Sequence, residues 1–159
     1  MPGKIAKEIQ QAKPFTQREE EAYLNLARSY EYLTQQLTEL FRRWNLSTTQ
    51  YNVLRILRGA GEAGLSCTEA ARRMITHDPD ITRLFDRLEG RGLIRRGRLA
   101  EDRRVVMAYI TESGLELLGE LDQPVTDMHA KQFAMLEDKE LTELIHLLEE
   151  LRPSSDEAV

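Results

Sequence analysis

Ten arginines and no lysine lie between Arg72 and Arg104. A guanidinium presents a flat fork of donors, which fits a phosphate or the edge of a guanine better than an ammonium does. Six acids share the window (Asp78, Asp80, Asp86, Glu89, Glu101 and Asp102), so it holds a surplus of four cations while the whole chain carries −5. A basic stretch inside an acidic molecule is the charge pattern of a protein that meets a polyanion such as DNA with one surface. The alternative is a solvated face balanced by its own acids.

Two elements must hold these arginines. Asp78 to Arg91, DPDITRLFDRLEGR, reads as a short amphipathic helix. Ile81, Leu84, Phe85 and Leu88 fall at the spacing of one buried stripe, which turns Thr82, Arg83, Asp86 and Arg87 outward. Asp78 is the expected N-cap, Pro79 the first helical residue and Gly92 the stop. A helix this short buries too little to stand alone, and its outward face is expected to enter the major groove. Leu93–Leu99 and Arg103–Thr111 then read as two strands around an Ala100-Glu101-Asp102 tip, a hairpin carrying Arg98, Arg103 and Arg104.

The rest of the chain divides around this centre. Residues 1–15 are expected to form a flexible arm ending at Pro14. Thr16-Gln17-Arg18-Glu19 is a capping box that opens a helix over 16–45. Tyr23, Leu26, Tyr30, Leu33, Leu37, Leu40 and Trp44 step alternately by three and four residues, a heptad seam. Such a helix spans about 42 Å, longer than a compact domain needs, so part of it is expected to pack on a second subunit. Ser47–Gln50 and Ser66–Glu69 are further capping boxes. They start a helix to about Arg58 and a short one to about Met74, in which the Ala70-Ala71 pair allows close helix approach. A short helix, a turn and the Asp78 helix make a helix-turn-helix. Residues 112–152 supply two C-terminal helices, the first with Pro124 inside it, expected to kink or split it, and the second carrying Leu141, Leu144 and Leu148. Residues 153–159 form an acidic tail expected to be disordered. The fold class is therefore mainly α with a small β-hairpin wing, a winged helix-turn-helix over 46–111 attached to a helical dimerisation stalk.

Other functions find no support. At 159 residues and 41% hydrophobic content the chain suits one domain with an extension. There is no Gly-rich phosphate loop, no zinc-binding His-Glu pair and no nucleophile elbow, so an enzyme, a cofactor and a metal are not expected. The single cysteine, Cys67, excludes an internal disulfide. No stretch has the ~18 apolar residues of a membrane span, and a cytoplasmic protein without membrane contact is expected.

The order of elements, and two motifs in it, resemble the MarR family of bacterial transcription regulators. ITRLFDRLEGRGLIRR at Ile81–Arg96 is similar to that family's recognition helix and first wing strand. Glu101-Asp102-Arg103-Arg104 and Ile110-Thr111-Glu112-Ser113-Gly114 are similar to its wing-tip Asp-x-Arg and its Leu-Thr-x-x-Gly, with Ile110 in place of Leu. The resemblance implies a homodimer clasped by its terminal helices, here including Tyr23, Leu26, Leu141, Leu144 and Leu148, that reads a pseudo-palindromic double-stranded DNA operator, as a repressor. It also implies release by a small phenolic or aromatic acid, with Tyr32, Phe41, Trp44 and Tyr51 as candidate lining; the core is the competing place for these aromatics.

Under this reading Thr82, Arg83 and Arg87 face the groove, with His77 and Asp78 at its entrance. Arg104 enters the minor groove. Arg98, Arg103 and Thr68 contact phosphate, and Asp102 braces an arginine at the tip. Arg83 and Arg87 have the alternative of pairing with Asp80 or Asp86 along the helix. Two competing functions remain: a winged helix that binds only proteins, and a redox-responsive regulator acting through Cys67.

Overall fold

The structure is a computed structural model and describes residues 3–76, 80–99 and 101–152. His77, Asp78, Pro79 and the 153–159 tail lie outside the described residues, and with them the expectations placed on those positions. Two compact units are present, Met1–Leu121 and Asp122–Val159.

In the first unit α1 (Lys4–Glu8) packs on α2 (Arg18–Arg42), and Ile5 and Ala6 are buried. The start of the expected flexible arm is thus a seated helix, because its two apolar residues find a surface on α2. α2 begins one residue later than a Thr16 cap requires; its N-cap is Gln17, with no side-chain hydrogen bond. Glu19, Glu20 and Glu21 crowd its first turn, and negative charge at the positive end of a helix does part of the work a cap would do. α3 (Thr48–Ala60) opens with the expected reciprocal box, in which Gln50 N–H donates to Ser47 Oγ at 3.1 Å and Ser47 N–H donates to Gln50 Oε1 at 3.0 Å. Val53, Leu54 and Leu57 are fully buried.

β1 (Leu65–Ser66) leads into α4 (Cys67–Arg72), where Ser66 Oγ accepts the Glu69 N–H at 3.0 Å. Ala70 is completely buried, which is the use of the small pair. α5 (Ile81–Gly90) starts later than Asp78 and Pro79 would place it; its N-cap is Asp80, whose carboxylate accepts the Arg83 N–H. Asp80 offers the same acceptor as Asp78, one residue before the apolar stripe begins. Leu84, Phe85 and Leu88 are buried, as the spacing requires, and Gly92 ends the helix at φ +70°.

The wing is a three-stranded antiparallel sheet in the order β1-β3-β2, made with β2 (Ile94–Arg98) and β3 (Val106–Ile110). Ile94 pairs with Ile110 and Arg98 with Val106, while Leu65 and Ser66 pair with Ala108 and Met107. The third strand is absent from the sequence reading because two residues are too few to show a period. α6 (Glu112–Gln132) then begins at a joint that explains the Ile-Thr-x-x-Gly motif. Thr111 Oγ1 donates to the Gly92 carbonyl at 2.6 Å and accepts the Gly114 N–H at 3.1 Å. A side chain at Gly114 would press on the Leu93 carbonyl and on Ile110. Pro124 does not split the helix: it lies inside α6, which runs on to Gln132.

In the second unit α7 (Asp138–Glu150) has a Glu137–Glu140 capping box. Leu141, Leu144 and Leu148 are half-buried, and no residue of α7 is fully buried.

Candidate nucleic-acid interface

The four inward residues of α5 fix what its other side presents: Thr82, Arg83, Asp86 and Arg87, all exposed. The arginines differ in what they do. Arg83 Nε lies 3.2 Å from Asp80 Oδ2, so the pairing alternative applies to Arg83, and Asp80 is both cap and counter-ion. Arg87 has no hydrogen-bond or ion-pair partner among the described residues, because Asp86 is engaged elsewhere. Its carboxylate accepts from Arg96 Nη2 at 2.6 Å. Arg96 also donates to Glu89 from Nη2 at 2.6 Å, from Nε at 2.9 Å and from its backbone N–H at 2.9 Å. These donors hold the Glu89 carboxyl below the usual carboxylate range and raise the Arg96 guanidinium. Arg96 is thus the bolt between the first wing strand and the outward side of α5.

The tip is folded by its own backbone. Leu99 N–H donates to the Val105 carbonyl and Val105 N–H to the Asp102 carbonyl, both at 3.0 Å. Asp102 Oδ1 accepts the Arg104 N–H at 2.9 Å, so Asp102 braces Arg104 through its main chain rather than through its guanidinium. Arg98, Arg103 and Arg104 are exposed, with no ion-pair partner among the described residues. Arg95, by contrast, lies 4.0 Å over the Tyr109 ring, and Arg72 and Arg73 both pair with Glu69. Among the described residues, Arg87, Arg98, Arg103 and Arg104 are the arginines of the basic window whose guanidinium groups have no partner.

Thr68 is exposed at the start of α4, whereas Ser66 is occupied as the cap. The turn before α5 is pinned by Asn52, whose Oδ1 accepts the Ile75 N–H at 3.0 Å. Neither Asn52 nor Arg96 carried a signal in the sequence: their partners lie at separations with no local periodicity.

The aromatic candidates differ in burial and in position. Phe41 is 1% exposed and stacks on Tyr51 with ring centroids 4.5 Å apart; it is core. Tyr32 is exposed and nine residues back along α2, about 13 Å. Trp44 and Tyr51 are partly exposed, and Trp44 Nε1 donates to Glu120 Oε2 at 2.9 Å. Tyr23 and Leu26 are exposed on α2. Cys67 is half-buried, and burial pushes its thiol up, with the opposing charge of Arg96 the smaller influence. A thiol held protonated is a poor nucleophile. Among the described residues no helix is long and apolar enough to cross a membrane.

Known proteins resemble this chain in sequence and in fold. The model of the MarR family matches residues 46–106. An uncharacterized HTH-type transcriptional regulator, YpoP of Bacillus subtilis (strain 168), is 30% identical over 126 residues, covering 79% of this chain and 87% of YpoP. A MarR transcription factor of known structure from Planctomyces limnophilus is 42% identical, with a TM-score of 0.67 over 87% of this chain and 98% of that one. A mutant MarR from E. coli, complexed with operator DNA, shares the fold at a TM-score of 0.73 and 24% identity over 80% of this chain and 91% of that one.

Proposed function

The chain belongs to the MarR family of transcriptional regulators, and within it we propose a homodimeric repressor that occupies a pseudo-palindromic operator through α5 and the wing. The observation that carries this reading is the division among the arginines. Arg96 is spent on fastening the wing to α5, while Arg87 on the helix and Arg98, Arg103 and Arg104 on the wing are exposed and uncommitted. Arg87 and Thr82 read base edges in the major groove. Arg83 joins them by exchanging its exposed pairing with Asp80, an interaction worth little in water. Arg104 enters the minor groove, and Arg98, Arg103 and Thr68 hold phosphates.

A second copy of the chain covers two apolar surfaces. One is on α2, where Tyr23 is 69% and Leu26 45% exposed; the other is on α7, with Leu141, Leu144 and Leu148. Trp44 and Tyr51 give a phenolic or aromatic acid a surface to stack on, and such a ligand would release DNA by favouring a lobe spacing that does not match the operator.

Selection of bound duplexes from a random pool tests the reading directly. A two-fold symmetric consensus is expected; weak binding without sequence preference would leave a protein-binding winged helix in its place. Titrating salicylate-like compounds against the operator complex tests release, and unchanged affinity removes the ligand from the proposal.

A further inference from the structure

The turn between α2 and α3 is tied to two other helices at once. Arg91, immediately after α5, donates from Nη1 to the Asn45 carbonyl at 2.6 Å and from Nη2 to the Trp44 carbonyl at 3.0 Å. Trp44 in turn donates its indole N–H to Glu120 on α6. Asn45 sits at φ +52°, in the left-handed region that Asn tolerates. Its carbonyl and that of Trp44 belong to the turn that ends α2, where helix geometry leaves acceptors unpaired. A guanidinium fork satisfies two of them together.

Arg91 is one turn beyond Arg87, on the same side of the helix. By sequence it would pass for another DNA contact, yet its donors face the protein. We propose that Arg91 is a positioning residue: it locks the C-terminal end of the reading helix to the end of α2, with Trp44 and Glu120 extending the lock to α6, and so fixes the direction in which Arg87 points. This rests on the DNA-reading role proposed above. Arg96 at Glu89 and Thr111 at Gly92 tie the C-terminal end of α5 to β2 and to the start of α6, and Arg91 is its tie to the end of α2; losing that one tie lets the helix tilt away from α2. Over a helix of ten residues, about 15 Å long, a tilt of about 10° moves one end by about 3 Å. That is enough to break a hydrogen bond to a base edge.

Trp44 is the single tryptophan, so its fluorescence reports the lock without a label. The experiment compares wild type, Arg91→Ala, Arg91→Lys and Trp44→Phe on the selected operator and on random duplex across a salt series, with helicity checked by circular dichroism. Arg91→Ala is expected to shift Trp44 emission and to weaken operator binding roughly tenfold, the size of one lost base contact. Its affinity for random DNA and its salt slope stay unchanged, and Arg91→Lys, which keeps a donor, regains part of the loss. Trp44→Phe weakens operator binding in the same selective way and decides the matter if Arg91→Ala does not fold. Unchanged operator affinity in a folded Arg91→Ala overturns the proposal. So does an equal loss on operator and random DNA with the salt slope reduced by about one, the mark of a direct phosphate contact. Absence of operator preference in wild type would instead defeat the proposed function, and this inference with it.

Discussion

In the proposed reading the same side-chain type does two jobs on the DNA surface, and substitution should separate them. Arg87→Ala and Arg104→Ala are expected to cost roughly 1–3 kcal/mol of operator affinity each and to relax base preference at one position. Arg98→Ala and Arg103→Ala should weaken all sequences alike and lower the salt slope by about one each. Binding isotherms on operator and random duplexes at several salt concentrations measure both. Cys67 belongs to a different category. With its thiol held protonated by burial, Cys67→Ser should leave operator affinity unchanged, and peroxide should not release wild-type protein from DNA. Release by peroxide that the serine variant abolishes would restore the redox reading.

Between elements, the joints matter more than the individual helices. Arg96 joins β2 to α5 through Glu89 and Asp86, so Arg96→Ala should lower the urea midpoint of unfolding as well as DNA affinity, unlike Arg98→Ala next to it in the strand. The pH dependence has a definite sign. Glu89 is held below its ordinary pKa in the folded chain. Its contribution to stability is therefore present above the unfolded value of about 4.3 and is lost as pH falls through the folded value. Glu89→Gln should flatten that acid limb, as urea midpoints measured from pH 6 downward would record. Gly64 guards the joint of β1 and β3. It has φ +62°, and a Cβ there would meet the Tyr109 ring and the Ala108 carbonyl. Gly64→Ala should destabilise the wing lobe by about 1–3 kcal/mol through backbone strain and crowding, read as a lower thermal midpoint.

For the whole molecule the decisive quantity is the number of copies. Tyr23, Tyr30 and Tyr32 are each more than half exposed, and Ile145 and Leu147 on α7 about half. These are the apolar side chains that the proposed second copy would cover. Sedimentation equilibrium should find a dimer at micromolar concentration, and paired Leu144→Glu and Leu148→Glu substitutions should produce monomers with much weaker operator binding. A wild-type monomer that still selects a two-fold symmetric sequence would remove the dimer from the proposal.

What the sequence determined by itself is whatever depends on local periodicity. The inward stripe of α5 is readable because Ile81, Leu84, Phe85 and Leu88 repeat at helical spacing. The Ser47 box and the stop at Gly92 are readable because capping chemistry acts within three or four residues. The same locality explains the misreadings. Thr16 and Asp78 had the composition of caps, but Gln17 and Asp80 hold those positions. Tertiary structure alone decided which arginines are free. Arg91, Arg95, Arg96 and Arg98 are indistinguishable as letters. One is bonded to carbonyls 46 and 47 residues away, one lies on a tyrosine ring, one is clamped by two acids of another element, and one faces solvent. Charge is written in the sequence, but the partner that neutralises it is chosen by the fold.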